Sequence, residues 1–68
     1  MANGTVKWFN STKGYGFIAP QDGSQDIFVH ISAVEKAGLQ QLNEGQKVSY
    51  EIVTNKGKTS AADLELLD

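Results

Sequence analysis

The chain has 68 residues, no cysteine, one histidine and a formal net charge of −2 at pH 7. This length allows one domain, 1–68, and the lack of cysteine excludes disulfides and favours a cytosolic compartment. One histidine without cysteine cannot form a structural zinc site, so no metal or other cofactor is expected. No apolar run reaches the roughly 20 residues of a membrane span, and Met1–Gly4 lacks the features of a signal peptide. We therefore expect a soluble, cytoplasmic protein with no membrane partner. The sequence leaves the oligomeric state open, and a monomer is the default.

The first half of the chain contains three short segments rich in β-forming residues. They predict strands at Thr5–Asn10, Tyr15–Ala19 and Asp26–Ile31. Between the second and third, Asp22 and Gly23 form a strong hairpin signal because both tolerate the positive φ angles that tight turns need.

The second half predicts one long connection and two further strands. Residues 32–45 are interrupted by Gly38, so we expect a loop with at most one helical turn near Ser32–Glu35. Gln46–Thr54 and Ala61–Leu67 alternate in polarity and are typical of strands. Their predicted apolar faces comprise Val48, Tyr50 and Ile52 in one strand and Ala62, Leu64 and Leu66 in the other.

Five short strands on one small chain favour an all-β fold. Closing the strands into a barrel removes the exposed sheet edges and gives a single core. The sequence therefore predicts a five-stranded antiparallel Greek-key barrel of the OB type.

Positive charge and aromatic residues are concentrated in the first part of the chain. Residues 1–18 contain Lys7 and Lys13 and no acid, whereas residues 19–68 contain all eight acidic residues. Five of the six aromatic residues precede residue 29. The local positive charge of this part of the chain can attract a polyanion in spite of the negative net charge of the whole chain.

Side-chain alternation predicts that the aromatic residues share an outer face. On the opposite side of the second and third strands lie the aliphatic residues Ile18, Ile27, Val29 and Ile31, which suit the core. The residues left outside are Tyr15, Phe17, Phe28 and His30, extended by Trp8. The alternative is that Phe17 and Phe28 lie inside the barrel.

Rings bordered by lysines suit a single strand of nucleic acid. Stacking of each exposed base on a ring contributes roughly 1–3 kcal/mol to the binding free energy, and the lysine side chains can contact the phosphates. Catalysis by His30 would need a positioned partner, and the sequence contains no acid–base pair, nucleophile motif or metal cluster, so we do not expect an enzyme. The aromatic face could instead dock a protein partner or a second copy, and that alternative stays open.

Two motifs resemble those of a known family. Lys13–Ile18 (KGYGFI) resembles the first ribonucleoprotein motif and Ile27–Ile31 (IFVHI) the second. With Lys7–Asn10 (KWFN) upstream, the chain resembles the bacterial cold-shock proteins over essentially its whole length. The resemblance implies an OB-fold barrel that binds single-stranded RNA and DNA with low sequence specificity. It also implies an RNA chaperone that keeps transcripts unpaired and so modulates transcription and translation, in cold adaptation or in constitutive or growth-phase roles.

The same resemblance implies which residues contact the nucleic acid. The stacking residues would be Trp8, Phe9, Tyr15, Phe17, Phe28 and His30. Lys7 and Lys13 would contact phosphates, and Asn10 and Asp26 would form hydrogen bonds with the bases.

The chain departs from the family pattern in three places. Ile31 replaces the usual Phe of the second motif, and Leu39 lies where another aromatic residue is common. Because aliphatic side chains cannot stack on bases as rings do, we expect weaker binding, or contact with fewer bases, than in family members with aromatic residues at these positions. The last turn lacks the proline usual after Lys-Gly, so Lys56 and Lys58 are either phosphate contacts or part of a solvated charged turn.

Overall fold

The computed structural model describes residues 2–67, which form a closed five-stranded barrel with one short helix. The elements in chain order are β1 (Ala2–Asn10), β2 (Tyr15–Pro20), β3 (Ile27–His30), α1 (Ile31–Lys36), β4 (Lys47–Asn55) and β5 (Lys58–Leu66). Around the barrel the order is β1-β2-β3-β5-β4, and β4 closes the sheet by pairing with the start of β1. The predicted all-β, five-stranded barrel is confirmed.

The sheet is mixed, which corrects the prediction of a purely antiparallel barrel. β3 and β5 run parallel, with Phe28 opposite Ser60, whereas the other neighbouring strands are antiparallel. Parallel neighbours need a long crossover connection, and α1, the loop after it and β4 supply one here. Polarity alternation identifies strands but carries no information on the direction in which they pair.

The connection after β3 begins with a helix, as predicted, although the helix is longer than the one turn expected. Ile31 is the first residue of α1 and not the last residue of the third strand. The helix buries Val34 against the barrel and ends before Gly38, whose φ of 81° is typical of the residue that follows a helix. Among residues 2–67, no helix is long and apolar enough to cross a bilayer.

Aliphatic residues from every strand fill the barrel interior. The buried core consists of Val6, Ile18, Ile27, Val29, Val34, Leu42, Val48, Tyr50, Ala61 and Leu64. Ile18 and Val29 have no exposed surface, and Ile27 has only 8%. The core predicted for the second and third strands is confirmed for Ile18, Ile27 and Val29. Ile31, predicted to belong to it, is half-buried at the start of α1 and lies outside the core.

Strict alternation fails in the last two strands. Ile52, predicted to share a face with Val48 and Tyr50, is 53% exposed, and Ala61 is buried in place of Ala62. The β4–β5 register shifts between Ser49 and Glu51, where β5 has one extra residue, and such a bulge resets which side chains of β5 point inward.

Tyr50 places a polar group in the core. The side chain is fully buried, and its hydroxyl has no hydrogen-bond partner among residues 2–67. Burial raises the pKa of Tyr50, with the nearby charge of Asp22 as a smaller cause. An unpaired buried hydroxyl opposes folding because it has lost its hydrogen bonds with water.

We predict that Tyr50→Phe stabilises the protein. Removing the unpaired hydroxyl should raise the free energy of unfolding by about 1–3 kcal/mol, measured by urea denaturation at pH 7. The raised pKa of Tyr50 means that folding disfavours the ionised form of this side chain. The stability of the protein with neutral Tyr50 is therefore fully present below pH 10.0 and is lost as the pH rises further and Tyr50 ionises. The Phe variant cannot ionise at this position and should lose less stability above pH 10.0 than the unmodified protein. Equal free energies of unfolding of the two proteins at pH 7 and above pH 10.0 would contradict the prediction.

Candidate nucleic-acid interface

Three adjacent strands place aromatic side chains in one row on the outside of the barrel. Phe17 of β2 lies opposite Trp8 of β1 on one side and opposite Phe28 of β3 on the other. Two residues before Phe17 in β2, Tyr15 lies opposite His30 of β3. Cross-strand neighbours on one face of a sheet lie close enough for their rings to touch.

The rings form a continuous patch, which we call the ring cluster: Trp8, Tyr15, Phe17, Phe28 and His30. Trp8 lies 5.6 Å from Tyr15 and 5.4 Å from Phe17, measured between ring centroids. Phe28 lies 5.8 Å from Tyr15 and 5.9 Å from Phe17, which closes a circuit of four rings, and His30 extends it at 6.4 Å from Phe28. Phe17 and Phe28 are half-buried and lie outside the core, so the structure does not support the alternative that placed them within it.

A β-bulge at Lys7 turns Trp8 outward. Val6 pairs with Ile18 and Trp8 pairs with Phe17, so Lys7 is an extra residue with no partner in β2. Val6 and Trp8 are two residues apart, and strict alternation would place both in the core. The bulge shifts the alternation by one residue, leaving Val6 buried and Trp8 37% exposed.

Gly16 allows β1 and β2 to approach closely beneath the ring cluster. A Cβ atom at this position would overlap the Trp8 carbonyl oxygen and lie 2.7 Å from both the Cα and the Cδ1 of Phe9. Phe9 therefore occupies the inner side of the sheet over Gly16, where it packs against the core. The structure brings Phe9 next to the core and not into the ring cluster.

His30 joins the ring cluster to the start of α1. As the N-cap of the helix, its Nδ1 accepts a hydrogen bond from the Ser32 amide at 3.1 Å and lies 3.0 Å from the Ser32 hydroxyl. These contacts orient the imidazole ring. The sequence did not predict the contact with Ser32, because histidine is not among the residues usually found at an N-cap.

The polar residues at the border have partners within the protein. The Oδ1 atom of Asn10 accepts a hydrogen bond from the Lys13 amide at 3.0 Å, which stabilises the turn between β1 and β2 and leaves the Lys13 side chain exposed. The Lys7 ammonium lies 2.9 Å from an Asp26 carboxylate oxygen. Lys7 and Asp26 thus contact each other in the structure.

Comparison with known proteins identifies the family. Residues 2–67 match the family model described as the "'Cold-shock' DNA-binding domain". The chain belongs to the cold-shock domain family. The family description is that of a DNA-binding domain, so nucleic-acid binding is the property that the family carries. The family predicted from the two motifs is therefore confirmed.

Similar proteins match this cold-shock domain over nearly its full length. It is 66% identical to the "Probable cold shock protein y4cH" of Sinorhizobium fredii over 67 residues, which cover 96% of this chain and 97% of the relative. Cold shock protein CspA of Rhizobium meliloti is 65% identical, with 94% and 96% covered. Cold shock-like protein CspE of Escherichia coli is 52% identical, with 90% and 88% covered.

The β4–β5 hairpin of the cold-shock domain lies beside the ring cluster, next to Phe28. Lys56 and Gly57 form a two-residue turn with φ angles of 53° and 77°. An open groove of about 730 Å³ separates this hairpin from Phe28. Its lining residues are Phe28, Asn55, Lys56, Lys58, Thr59 and Ser60. Both lysines therefore line the groove next to Phe28.

Ile31 and Leu39, the two aliphatic departures from the family pattern, are both half-buried in this domain. The Ile31 amide donates a hydrogen bond to the Gly14 carbonyl at 2.9 Å, which places the start of α1 against the first turn. Leu39 is half-buried and packs against the core. Neither residue extends the circuit of rings.

We predict that Gly16→Ala damages the ring cluster and the fold together. The added Cβ meets backbone atoms of Trp8 and Phe9, which cannot move aside as a flexible side chain could. Overpacking of this kind should lower the free energy of unfolding by about 1–3 kcal/mol, measured by urea denaturation. The emission spectrum of Trp8 in the folded state should also change. Unchanged stability together with unchanged emission would show that β1 and β2 are not as close as the structure places them.

Proposed function

We propose that this cold-shock domain binds single-stranded RNA and DNA with low sequence specificity and acts as an RNA chaperone. The observation that supports the proposal is the ring cluster, in which side chains from three adjacent strands present a continuous aromatic surface to solvent. An exposed patch of this kind on a small domain is typical of an interaction site.

The ring cluster discriminates between single and double strands through stacking. In a duplex the face of each base is covered by its neighbours, whereas an unpaired base can rest on a protein ring for about 1–3 kcal/mol. Every base has an aromatic face, so recognition of this kind tolerates many sequences. The proposed stacking residues are Trp8, Tyr15, Phe17, Phe28 and His30, with Phe9 supporting the sheet from its inner side.

Lysines at the two ends of the ring cluster are the proposed phosphate contacts. Lys13 lies in the exposed turn before Tyr15, and Lys56 and Lys58 line the groove beside Phe28. Because the whole chain has a net charge of −2, long-range attraction of a polyanion is weak, and stacking supplies most of the affinity.

The chaperone activity follows from selective binding. A protein that binds unpaired strands and not duplexes shifts a pairing equilibrium toward the open state by a factor of about 1 + [protein]/Kd. No ATP is needed. An RNA hairpin of low stability should therefore open as the protein concentration rises above Kd, and stable stems should stay closed.

Titration with a short thymine-rich oligonucleotide tests the binding directly. Trp8 is the only tryptophan and belongs to the ring cluster, so stacking of a base should quench its fluorescence in a saturable manner. The same sequence in duplex form is the control and should cause no quenching. Absence of quenching by single strands at micromolar protein would contradict the proposal. Concentration-dependent sedimentation without nucleic acid would then support a protein-docking role for the aromatic face.

We predict that Phe17→Ala and Phe28→Ala each weaken binding while leaving the fold intact. Loss of one stacking ring should reduce affinity by about 1–3 kcal/mol, or roughly 5- to 150-fold, in the fluorescence titration. Ile52→Ala is the matched control, since Ile52 is exposed and apolar but lies outside the ring cluster. If circular dichroism showed that the Phe variants unfold, these rings would be structural and the stacking interpretation would be wrong.

We predict a shallow dependence of affinity on salt. Each phosphate neutralised on a single strand contributes about −0.7 to the slope of log K against log salt concentration. Contacts from Lys13, Lys56 and Lys58 would together give a slope of about −2. A slope near zero in titrations from 50 to roughly 300 mM salt would exclude these phosphate contacts.

A further inference from the structure

The His30 ring lies at the edge of the ring cluster, and its backbone is fixed on both sides. Tyr15 is its partner in the β2–β3 ladder, and the amide of Ile31 donates a hydrogen bond to the Gly14 carbonyl oxygen at 2.9 Å. The side chain is exposed, and its ring centroid lies 6.4 Å from that of Phe28. Because the backbone is fixed, the orientation of the ring depends on the two side-chain torsions alone.

Ser32 restrains those torsions through two contacts with one ring nitrogen. Its amide donates a hydrogen bond to Nδ1 of His30 at 3.1 Å, and its hydroxyl oxygen lies 3.0 Å from the same atom. The second torsion of a histidine side chain has two broad minima, which differ by half a turn of the ring. Half a turn would put a carbon atom in the place of Nδ1 and break both contacts. The contacts with Ser32 therefore select one of two ring orientations.

The same contacts determine which ring nitrogen of His30 carries the proton. A backbone amide can only donate a hydrogen bond, so Nδ1 accepts one and carries no proton. The Ser32 hydroxyl therefore donates to Nδ1 as well, and the proton of the neutral imidazole lies on Nε2. Ser32 thus fixes one tautomer as well as one orientation.

We infer that Ser32 is a positioning residue of the nucleic-acid surface, which holds the His30 ring in one orientation with its proton on Nε2. The inference rests on the proposed function, because a strand stacked on the ring cluster is the ligand that meets this ring. A base that stacks on His30 finds the ring already ordered, so less side-chain freedom is lost when the strand binds.

Nitrogen-15 NMR of the imidazole tests the positioning in the free protein. His30 is the only histidine, so the signals of its two ring nitrogens are unambiguous. At about pH 8, where an imidazole is ordinarily neutral, the unmodified protein should show a protonated Nε2 and an unprotonated Nδ1. Ser32→Ala removes one of the two contacts, so the signals should move toward each other as the ring exchanges between tautomers. Ser32→Thr keeps a hydroxyl and should restore the separation.

Titration of Trp8 fluorescence with an oligothymidine tests the effect on binding. Ser32→Ala should weaken binding about two- to tenfold, the range expected when one side chain must be ordered by the ligand, and Ser32→Thr should restore most of the affinity. Ser11→Ala is the matched control, because Ser11 is exposed in the turn after β1 and lies outside α1. It should change neither the imidazole signals nor the affinity. Ser32 is also exposed, so the variants should fold, and urea denaturation checks this.

A double-mutant cycle separates an effect through His30 from a direct contact between Ser32 and the strand. In a His30→Phe background the ring can still stack on a base but cannot accept a hydrogen bond from Ser32. Adding Ser32→Ala to this background should therefore cause no further loss of affinity.

Three results would overturn the inference while the proposed function stands. They are two tautomers of similar population in the unmodified protein, unchanged imidazole signals and affinity in Ser32→Ala, and a loss of affinity by Ser32→Ala that persists beside His30→Phe. If the imidazole signals behaved as expected but neither the unmodified protein nor any variant bound single strands, the proposed function would be wrong and the positioning of His30 would stand as a structural feature alone.

Discussion

The ring cluster depends on one irregularity in β1. The extra residue at Lys7 allows two side chains that are two positions apart to face opposite sides of the sheet, so that Val6 fills the core and Trp8 joins the outer rings. Gly16 lies opposite this part of β1 and leaves room for its backbone. Without the bulge, a regular strand would bury Trp8 in a barrel too small to hold it beside the other core residues.

The division between core and interface follows from the size of the domain. A chain of this length buries a smaller share of its surface than a larger protein does, so its aliphatic residues are needed inside. Ile18, Ile27 and Val29 meet that need on β2 and β3, and the aromatic residues that alternate with them remain on the outside. The same strands thus supply the stability of the barrel and the surface for binding, and the two roles occupy opposite faces.

Charge has a secondary part in this surface. The chain carries more acidic than basic residues, and Lys7, one of the lysines near the rings, is already paired with Asp26. Exposed ion pairs are weak, so this contact contributes little to the stability of the barrel. A surface that binds mainly by stacking, with few phosphate contacts, is compatible with the low sequence specificity proposed for it.

The sequence alone determined the strand count, the barrel, the family and the aromatic face, because period-two alternation and the spacing of the two motifs are local properties. It also placed Ile18, Ile27 and Val29 in the core. Only the tertiary structure decided the parallel pairing of β3 with β5, the inward position of Phe9 and the contact between Lys7 and Asp26. These features depend on bulges and on residues far apart in the chain, and a bulge changes the face of every side chain that follows it.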